Sequence, residues 1–253
     1  MINKVVDSFD EAVSDMFDGA LLLIGGFGGH AECPSYLAAA AARKGVKDLT
    51  IVGNSGGWGS ELLEAIKTRM VAVLPFPDDF YDPSVLVERG QVKKGILAFP
   101  AAPAQVRTPF EKGVADGTLE LELVGQGTIA ERIRAARAGI AAFYTPVGVG
   151  TQVEWGKEIR EFNGRKYLLE HALKGDFSLV RAHKADRYGN LVYKGSSRTF
   201  NATMAGASTV TIAEVDEVVE LGELDPECIV TPGLYVDRVV VRPRESRPWH
   251  EPM

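Results

Sequence analysis

The feature that most constrains this chain is a repeated alternation between short apolar runs and helical patterns, with glycine clusters where the runs end. Ala20–Ile24 and Leu49–Val52 are apolar runs of this kind. Pro34–Lys44 between them is typical of a helix, because proline stands near its first turn and Gly45 follows its basic end. Strands that alternate with helices in this way form parallel sheets. The sequence therefore predicts an open, mostly parallel α/β sheet with helices on both faces.

The same alternation continues through the middle of the chain. It predicts strands at Gln91–Phe99, Thr118–Val124 and Ala141–Tyr144, and a helix at Pro109–Asp116. A further helix follows Gly125-Gln126-Gly127. Thr128 with Glu131 three residues later matches a capping box, so we expect Thr128 to cap this helix.

After Gly150 the pattern changes to alternating, hairpin-prone sequence. Two turn signals carry this prediction, each with the strands it joins: Asn163-Gly164 between Ile159–Phe162 and Lys166–Leu169, and Tyr188-Gly189-Asn190 between Phe177–His183 and Leu191–Tyr193. We therefore expect a smaller mixed or antiparallel element in the C-terminal half. The division we predict is a single domain at residues 1–241 and an extended tail at 242–253.

Composition and charge exclude several classes of protein. The chain has 253 residues, of which 45% are hydrophobic and 25% charged, so it is neither disordered nor fibrous. A net charge of −6 argues against a general nucleic-acid binder. The longest uncharged run, Ala138–Val153, is too short and too interrupted to cross a membrane, and the first residues are not a signal peptide. Two cysteines, Cys33 and Cys228, give no disulfide framework, so we expect a cytoplasmic protein with reduced thiols. From the charge and the lack of a long apolar run, we expect no nucleic-acid or membrane partner.

Four loops at the ends of predicted strands are rich in glycine: Gly25–Gly29, Gly53–Gly59, Gly125–Gly127 and Gly148–Gly150. One such loop is ordinary turn chemistry. Because ligands bind beyond the carboxyl ends of strands in open α/β sheets, four of them favour a glycine-lined cleft. Gly26–Ala31 fits the dinucleotide fingerprint only formally, since no acidic residue follows Leu49–Val52 to hold a ribose hydroxyl.

Several side chains near these loops are candidates for chemistry, and each has a plainer interpretation. His30 and Glu32 are an acid–base pair or, as we favour, solvated residues at a helix entrance. His183 contacts ligand phosphates or, as we favour, has a hydrogen-bonded structural role. Cys33 beside Pro34 stands at a helix start, where a thiolate is favoured, but the sequence offers it no histidine partner. No residues have the spacing of a metal site, and no convincing nucleophile is present. The cleft can therefore bind and polarise a substrate, and we expect the reacting group to come from a partner.

A series of short motifs follows the order found in a known family. They are Ile24-Gly25-Gly26-Phe27-Gly28, Asp48–Val52 with Asn54, Gly125–Arg134, Gly139–Pro146, Arg160–Gly164, Lys184-Ala185-Asp186 with Gly189-Asn190-Leu191, and Gly222–Pro226. Through them, residues 1 to 241 resemble the α subunits of family I CoA-transferases. Within that family, the 3-oxoadipate and 3-oxoacid enzymes that depend on succinyl-CoA are the most similar.

The resemblance implies a fold of the CoA-transferase (NagB/RpiA-like) type and a ping-pong exchange of CoA between two carboxylic acids. It implies a homologous β subunit, in an α2β2 assembly, whose Ser-Glu-Asn-Gly motif carries the glutamate that forms a glutamyl-CoA thioester. This chain has no such motif. The implied ligands are acyl-CoA and a 3-oxoacid such as 3-oxoadipate or acetoacetate, with no tightly bound cofactor and no metal.

The resemblance also assigns roles to particular positions. The CoA-associated loop is Gly25, Gly26, Phe27, Gly28, Gly29, His30 and Ala31. Asn54 and Gln126 face the acyl group and the partner's glutamate, and Gln126 holds carboxylate or anhydride oxygens unless it is only a turn residue between two glycines.

Three departures from the family pattern lie near the expected cleft. The loop Gly29–Pro34 reaches its proline one residue late, Asn54–Gly57 replaces the usual Asn-Asn-Ala-Gly, and residues 58–83 are additional. We therefore expect a substrate that differs from the usual acyl group. Two alternatives stay open: an acyl-CoA hydrolase of the same fold, and an acyl-CoA-binding module without turnover.

Overall fold

A computed structural model of the chain describes residues 2–27, 32–70, 81–101 and 106–243. Within them the chain forms these strands: β1 (Leu21–Ile24), β2 (Leu49–Gly53), β3 (Val92–Leu97), β4 (Glu120–Leu123), β5 (Ala142–Thr145), β6 (Ile159–Phe162), β7 (Arg165–His171), β8 (Gly175–Asp186), β9 (Leu191–Val192), β10 (Ser208–Val219) and β11 (Arg238–Val241). The α-helices are α1 (Phe9–Ala12), α2 (Ser35–Lys44), α3 (Ser60–Met70), α4 (Ser84–Glu88), α5 (Pro109–Ala115), α6 (Gln126–Arg137) and α7 (Thr199–Met204).

The main sheet has the strand order β11-β10-β8-β1-β2-β3-β4, and every neighbouring pair in this order is parallel. Strand β9 adds an antiparallel pair to β8. From β1 the chain builds the sheet outward to β4, and from β8 it builds outward to β11. The order therefore reverses between β1 and β8, and such a reversal opens a crevice at the carboxyl ends of the strands.

Alternate residues of the central strands face two separate cores. Leu22, Ile51 and Leu179 pack with α1, α2, α4 and α5 on one face of the sheet. Their neighbours Leu23, Val52 and Val180 pack with α6 and α7 on the other face. This alternation follows from the two-residue period of a strand, and it confirms the predicted sheet with helices on both faces.

The predicted antiparallel element is a separate three-stranded sheet with the order β5-β7-β6. Asn163 and Gly164 join β6 to β7 with φ values of +50° and +75°, which are the left-handed conformations of a type I′ turn. The second predicted turn, Tyr188-Gly189-Asn190, joins β8 to β9. Both hairpin predictions are confirmed.

The predicted capping box at Thr128 is wrong. The observed N-cap is Gly125, three residues earlier, and helix α6 begins at Gln126. The main-chain oxygen of Gly125 accepts the first helical hydrogen bond, from the N–H of Ile129, at 2.9 Å. Thr128 therefore lies inside the first turn with its side chain buried, and Glu131 belongs to the next turn.

The division into a domain at 1–241 and a tail at 242–253 stays a prediction. Arg242, the first residue of that tail, is buried, and its N–H donates to the carbonyl of Val215. Residues 244–253 lie outside the described residues. In the part of the chain that the structure describes, none of the helices has the length and apolar character needed to cross a membrane.

Candidate active site

Asn54 and Gln126 come together at the carboxyl edge of the sheet. Gln126 Nε2 donates to Asn54 Oδ1 at 2.7 Å, although the two residues follow different strands. The main chain of Asn54 is fixed because its carbonyl accepts from the N–H groups of Ala98 and Phe99, at 3.2 and 2.7 Å. The two carboxamide groups to which the resemblance assigns the acyl group therefore contact each other. Each side-chain NH2 has a second N–H that can donate to an oxygen of a ligand.

The start of α6 faces the same edge. Because Gly125 has no side chain, it provides no side-chain cap for the first N–H groups of this helix. Such N–H groups and the helix dipole favour negative charge. Gln126 occupies the first helical position, so the helix start fixes its backbone. The first turn of α6 can therefore stabilise an oxygen that gains negative charge.

The loop after β1 also contacts this site, through the main chain of Phe27. The carbonyl of Phe27 accepts from Asn54 Nδ2 at 3.4 Å, and the N–H of Phe27 donates to Glu32 Oε2 at 3.1 Å. The ring of Phe27 is 41% exposed. Of the predicted CoA-associated loop, Gly25, Gly26 and Phe27 are described, whereas Gly28, Gly29, His30 and Ala31 lie outside the described residues.

Gly25 and Gly26 of this loop are required by the protein's own packing. A Cβ on Gly25 would overlap the carboxamide of Asn201 in α7. Gly26 has a φ of +88°, and a Cβ there would lie 2.9 Å from the carbonyl of Glu32. Neighbouring protein atoms thus fill the space that the sequence interpretation reserved for the approach of a ligand.

The loop after β2 is held by a buried carboxylate. Asp82 accepts from the N–H groups of Trp58 and Ser84, at 2.7 and 2.9 Å, and from the Ser84 hydroxyl. Burial raises the pKa of Asp82 above its usual range despite these hydrogen bonds. Gly57, at φ +86°, has no room for a Cβ beside Asp82 and Ser84. Asp82 therefore joins this loop to the start of α4.

The other two glycine clusters lie beside each other. A Cβ placed on Gly125 would be 3.6 Å from Cγ1 of Val147, next to Gly148. The loop at Gly148–Gly150 follows β5 of the small sheet, so this cluster reaches the site from outside the main sheet. The Val147 side chain is 53% exposed there.

Cys33 lines a small pocket with Gly26, Phe27, Asn54 and Asp82. The expectation that its position favours a thiolate is wrong. Cys33 is fully buried, and burial followed by the negative charge of Asp82 raises the pKa of its thiol well above the usual range. A buried neutral thiol is a poor nucleophile. Both cysteines are free thiols, Cys33 buried and Cys228 exposed.

His183 lies in a buried charged cluster on β8 and β10. Its Nδ1 is 3.0 Å from Asp216 Oδ2, and Arg181 Nη2 donates to Asp216 Oδ1 at 2.7 Å. Arg242 Nη1 donates to Glu214 Oε1 at 2.9 Å. His183 therefore has the hydrogen-bonded partner that the structural interpretation requires.

Glu214 connects this cluster to helix α2. Its Oε2 accepts from the N–H groups of Tyr36 and Leu37, both at 3.0 Å, at the start of α2. Pro34, the N-cap of α2, provides no side-chain cap of its own. Glu214 is therefore a cap supplied from β10.

Sequence reasoning missed three residues that build this site: Asn201, Asp82 and Glu214. Each of the three has at least one contact with a segment far away along the chain, so spacing alone does not identify them. Asp82 immediately before Pro83 and Ser84 was the one local signal, because a short polar side chain often caps a following helix. Among the described residues, no cluster of three or more His, Cys, Asp or Glu side chains could hold a metal ion.

The chain matches the coenzyme A transferase family over residues 6–73 and 76–242. The chain belongs to this family. It is similar to the A subunit of 3-oxoadipate CoA-transferase from Pseudomonas putida, with 44% identity over 95% of this chain and 94% of the relative. It is also similar to the A subunit of succinyl-CoA:3-ketoacid coenzyme A transferase from Helicobacter pylori strain J99, with 41% identity over 94% of this chain and 92% of the relative.

The fold of this coenzyme A transferase family member is also found in solved structures. An acyl-CoA transferase from Escherichia coli aligns with a TM-score of 0.79 over 97% of this chain, at 23% sequence identity. At that identity the likeness shows the fold. The chain spans 48% of the length of that structure, about half of it.

Proposed function

We propose that this chain is the α subunit of a two-subunit CoA-transferase that moves CoA between an acyl-CoA such as succinyl-CoA and a 3-oxoacid such as 3-oxoadipate or acetoacetate. The observation that carries the proposal is the contact between Asn54 and Gln126 at an open carboxyl edge. The similarity to the A subunits of two such enzymes, over more than nine-tenths of each, supports it. We propose CoA and acyl-CoA as substrates, with no tightly bound cofactor.

The proposed reaction uses a glutamate of the partner subunit. Its carboxylate attacks the acyl-CoA carbonyl, and the carbon–sulfur bond breaks to give a mixed anhydride and CoA thiolate. The thiolate then attacks the glutamyl carbonyl, which releases the first acid and leaves a glutamyl-CoA thioester. The second acid reverses these two steps. Each attack puts negative charge on a carbonyl oxygen.

The described residues of this chain fit the supporting role in these steps. The second N–H groups of Asn54 and Gln126, with the first turn of α6, can donate to the developing oxyanion. Uncharged donors suit this task because they form no ion pair that would lower the nucleophilicity of the partner's carboxylate. Cys33, buried with a raised pKa, and Asp82, held by three hydrogen bonds, are unsuited to attack. A nucleophile from another chain is therefore part of the proposal.

Exposed apolar side chains around the pair support docking of a partner subunit. The ring of Phe99, whose N–H donates to Asn54, is 48% exposed, and the side chain of Val147 beside Gly125 is 53% exposed. Phe27, in the predicted CoA-associated loop, is 41% exposed. We propose that a β subunit covers these groups in an α2β2 assembly, in the cytoplasm, where Cys33 and Cys228 stay reduced.

The test is co-expression with the neighbouring open reading frame, followed by borohydride trapping of the purified complex with succinyl-CoA. We expect CoA transfer to a 3-oxoacid, a trapped glutamate in the partner chain, and a complex mass equal to two copies of each chain. A modified side chain in this polypeptide, or transfer by this chain alone, would contradict the proposal.

Two other outcomes would identify the alternative functions. Release of free CoA without an acceptor acid, measured with a thiol reagent, would identify a hydrolase. Binding of acyl-CoA by the complex without any turnover would identify a binding module. Assays with a series of 3-oxoacids of different length would then show whether the altered loop at Gly29–Pro34 changes the substrate.

A further inference from the structure

Asn201 is a fully buried carboxamide at the centre of α7, and it joins three segments of the chain. Its Nδ2 donates to the carbonyls of Glu32 and Ser197, at 2.8 and 2.9 Å. Its Oδ1 accepts from the N–H of Arg181 in β8, at 2.9 Å. Both N–H bonds of its NH2 group are therefore used, and both point at main-chain carbonyls.

The same side chain fills the space beside the loop after β1. The Asn201 carboxamide occupies the volume that a side chain at Gly25 would need, since a Cβ there would overlap Oδ1. The N–H of Gly25 donates to the carbonyl of Leu179 at 2.9 Å, which holds the loop against β8. Gly25 is therefore fixed between Asn201 and β8.

Asn201 also acts on the far end of this loop through Glu32. The main-chain carbonyl of Glu32 is bound by Asn201, and the side chain of Glu32 accepts from the N–H of Phe27. The residue before Asn201, Phe200, packs its ring edge-to-face against the ring of Phe27, with centroids 4.9 Å apart. Helix α7 thus holds Phe27 by its main chain and by its ring.

A continuous set of hydrogen bonds then leads from Phe27 to the amide pair. The carbonyl of Phe27 accepts from Asn54 Nδ2, and Asn54 Oδ1 accepts from Gln126 Nε2. Any shift of Phe27 moves the acceptor that orients the Asn54 carboxamide. A misplacement of about 1 Å in such a group lowers a rate by about 100-fold.

We propose that Asn201, with Phe200, is a positioning residue for CoA transfer: it fixes the loop Gly25–Phe27 so that Asn54 and Gln126 present their donors to the reacting carbonyl. The inference rests on the proposed function for its kinetic consequence. The geometry of the loop is a separate consequence that does not need turnover.

The chain offers a matched control in Gln91. This residue is also a buried carboxamide, and its Nε2 donates to the main-chain carbonyls of Val46 and Ala41, at 2.8 and 3.5 Å. It lies at the amino end of β3, at the opposite edge of the sheet from Asn54. Asn201→Asp and Gln91→Glu make the same chemical change, an oxygen in place of a donor that faces carbonyls.

The experiment compares these two variants in the complex with the partner subunit. We expect Asn201→Asp to lower kcat by about 30- to 100-fold, with KM within about threefold of the wild type. Gln91→Glu changes kcat by less than about twofold even where both variants lose similar thermal stability. Equal kcat values for the two variants would overturn the proposal.

Hydrogen exchange at the amides of Gly25 and Phe27, which donate to Leu179 and Glu32, reads the loop itself. We expect exchange there to be at least about tenfold faster in Asn201→Asp and unchanged in Gln91→Glu. If Asn201→Asp fails to fold, Phe200→Leu keeps an apolar side chain in the core and removes the ring contact, and it shows the same two effects at smaller size. Unchanged exchange in the folded variants would also overturn the proposal. A wild-type complex without transfer activity refutes the proposed function, whereas the exchange measurement still decides the role of Asn201.

Discussion

Two groups of polar side chains lie in the half of the main sheet nearest the carboxyl ends of its strands, and they differ in charge, burial and pairing. On β8, β10 and the end of β11, the charged side chains of Arg181, Glu214, Asp216 and Arg242 are buried and paired with one another. Beyond β2 and β4, two uncharged amides make one short contact and keep donors for a ligand. In this protein, a high density of buried charge marks a structural cluster. Spare hydrogen-bonding capacity marks the candidate site.

The two carboxylates of the charged cluster also differ from each other. Burial raises the pKa of Glu214 above its usual value, although Arg242 and Arg181 oppose this effect. Burial also acts to raise the pKa of Asp216, but the hydrogen bond from His183 and the charge and hydrogen bond of Arg181 outweigh it, so the pKa is lowered. The cluster thus combines one carboxylate that burial destabilises with one that its partners stabilise.

The largest expected effect is on stability, from Arg242→Met. This substitution leaves the buried carboxyl of Glu214 without its closest cation, so we expect the free energy of unfolding to fall by about 3–5 kcal/mol. Denaturant unfolding of the purified chain measures it. Arg43→Met, which breaks an exposed pair with Asp10, is the control and changes stability by at most about 1 kcal/mol. Equal losses in the two variants would remove the contrast between buried and exposed charges.

The second effect is on turnover, from Gln126→Ala. We expect kcat to fall about 100-fold, because one donor to the oxyanion is lost. The free energy of unfolding changes by less than about 0.5 kcal/mol, since Gln126 is exposed. Steady-state transfer assays and denaturant unfolding measure the two quantities. Glu131→Gln, an exposed change on the same helix, is the control and keeps full activity. An unchanged kcat in Gln126→Ala would show that Gln126 has no role in transfer.

The third effect is a pH dependence that involves Asp216. Because its folded pKa is lowered, the ionised carboxylate stabilises the fold above the unfolded pKa of about 3.9 and loses this contribution as the pH falls below it. We expect Asp216→Asn to be about 1–2 kcal/mol less stable than the wild type at pH near 7, with a smaller difference at pH near 3. Unfolding curves across this range measure it. Glu217→Gln, at an exposed pair with Lys184, serves as the comparison and shows no such convergence.

The smallest expected effect separates structural from ligand contacts at His183. His183→Gln loses the hydrogen bond to Asp216, so we expect a loss of about 1 kcal/mol in stability. The KM for acyl-CoA stays within about twofold of the wild type. A tenfold rise in this KM would instead place His183 at the phosphates of the ligand. It would then contradict the division between the buried charged cluster and the candidate site.

Much of the fold follows from local pattern. The run Ala20–Ile24 contains β1, and Leu49–Val52 covers all of β2 except Gly53, because two-sided burial demands continuous apolar sequence. The hairpin at Asn163-Gly164 follows from residues that tolerate positive φ. The start of α6 was predicted wrongly because threonine is a common N-cap residue and Glu131 follows Thr128 at capping-box spacing. The chain instead uses Gly125, and the Thr128 side chain is buried in the first turn.

The site was predictable in a different way. Asn54 and Gln126 came from family resemblance, since nothing in their local sequence says that residues after two separate strands will touch. The role of Asn201 was beyond local reasoning, because its partners Glu32 and Arg181 come from distant parts of the chain. Cys33 shows the opposite failure. Its place at a helix start favours a thiolate, but burial determines its pKa.

The overlap between position 25 and the Asn201 side chain restricts how this protein can evolve. A Cβ at position 25 overlaps the Asn201 carboxamide, so we expect substitutions there to be coupled to the size of the residue at position 201. Randomising both codons at once is therefore the way to reach new loop shapes at this edge. We therefore expect positions 25 and 201 to change together in relatives whose loop at this edge has a different shape.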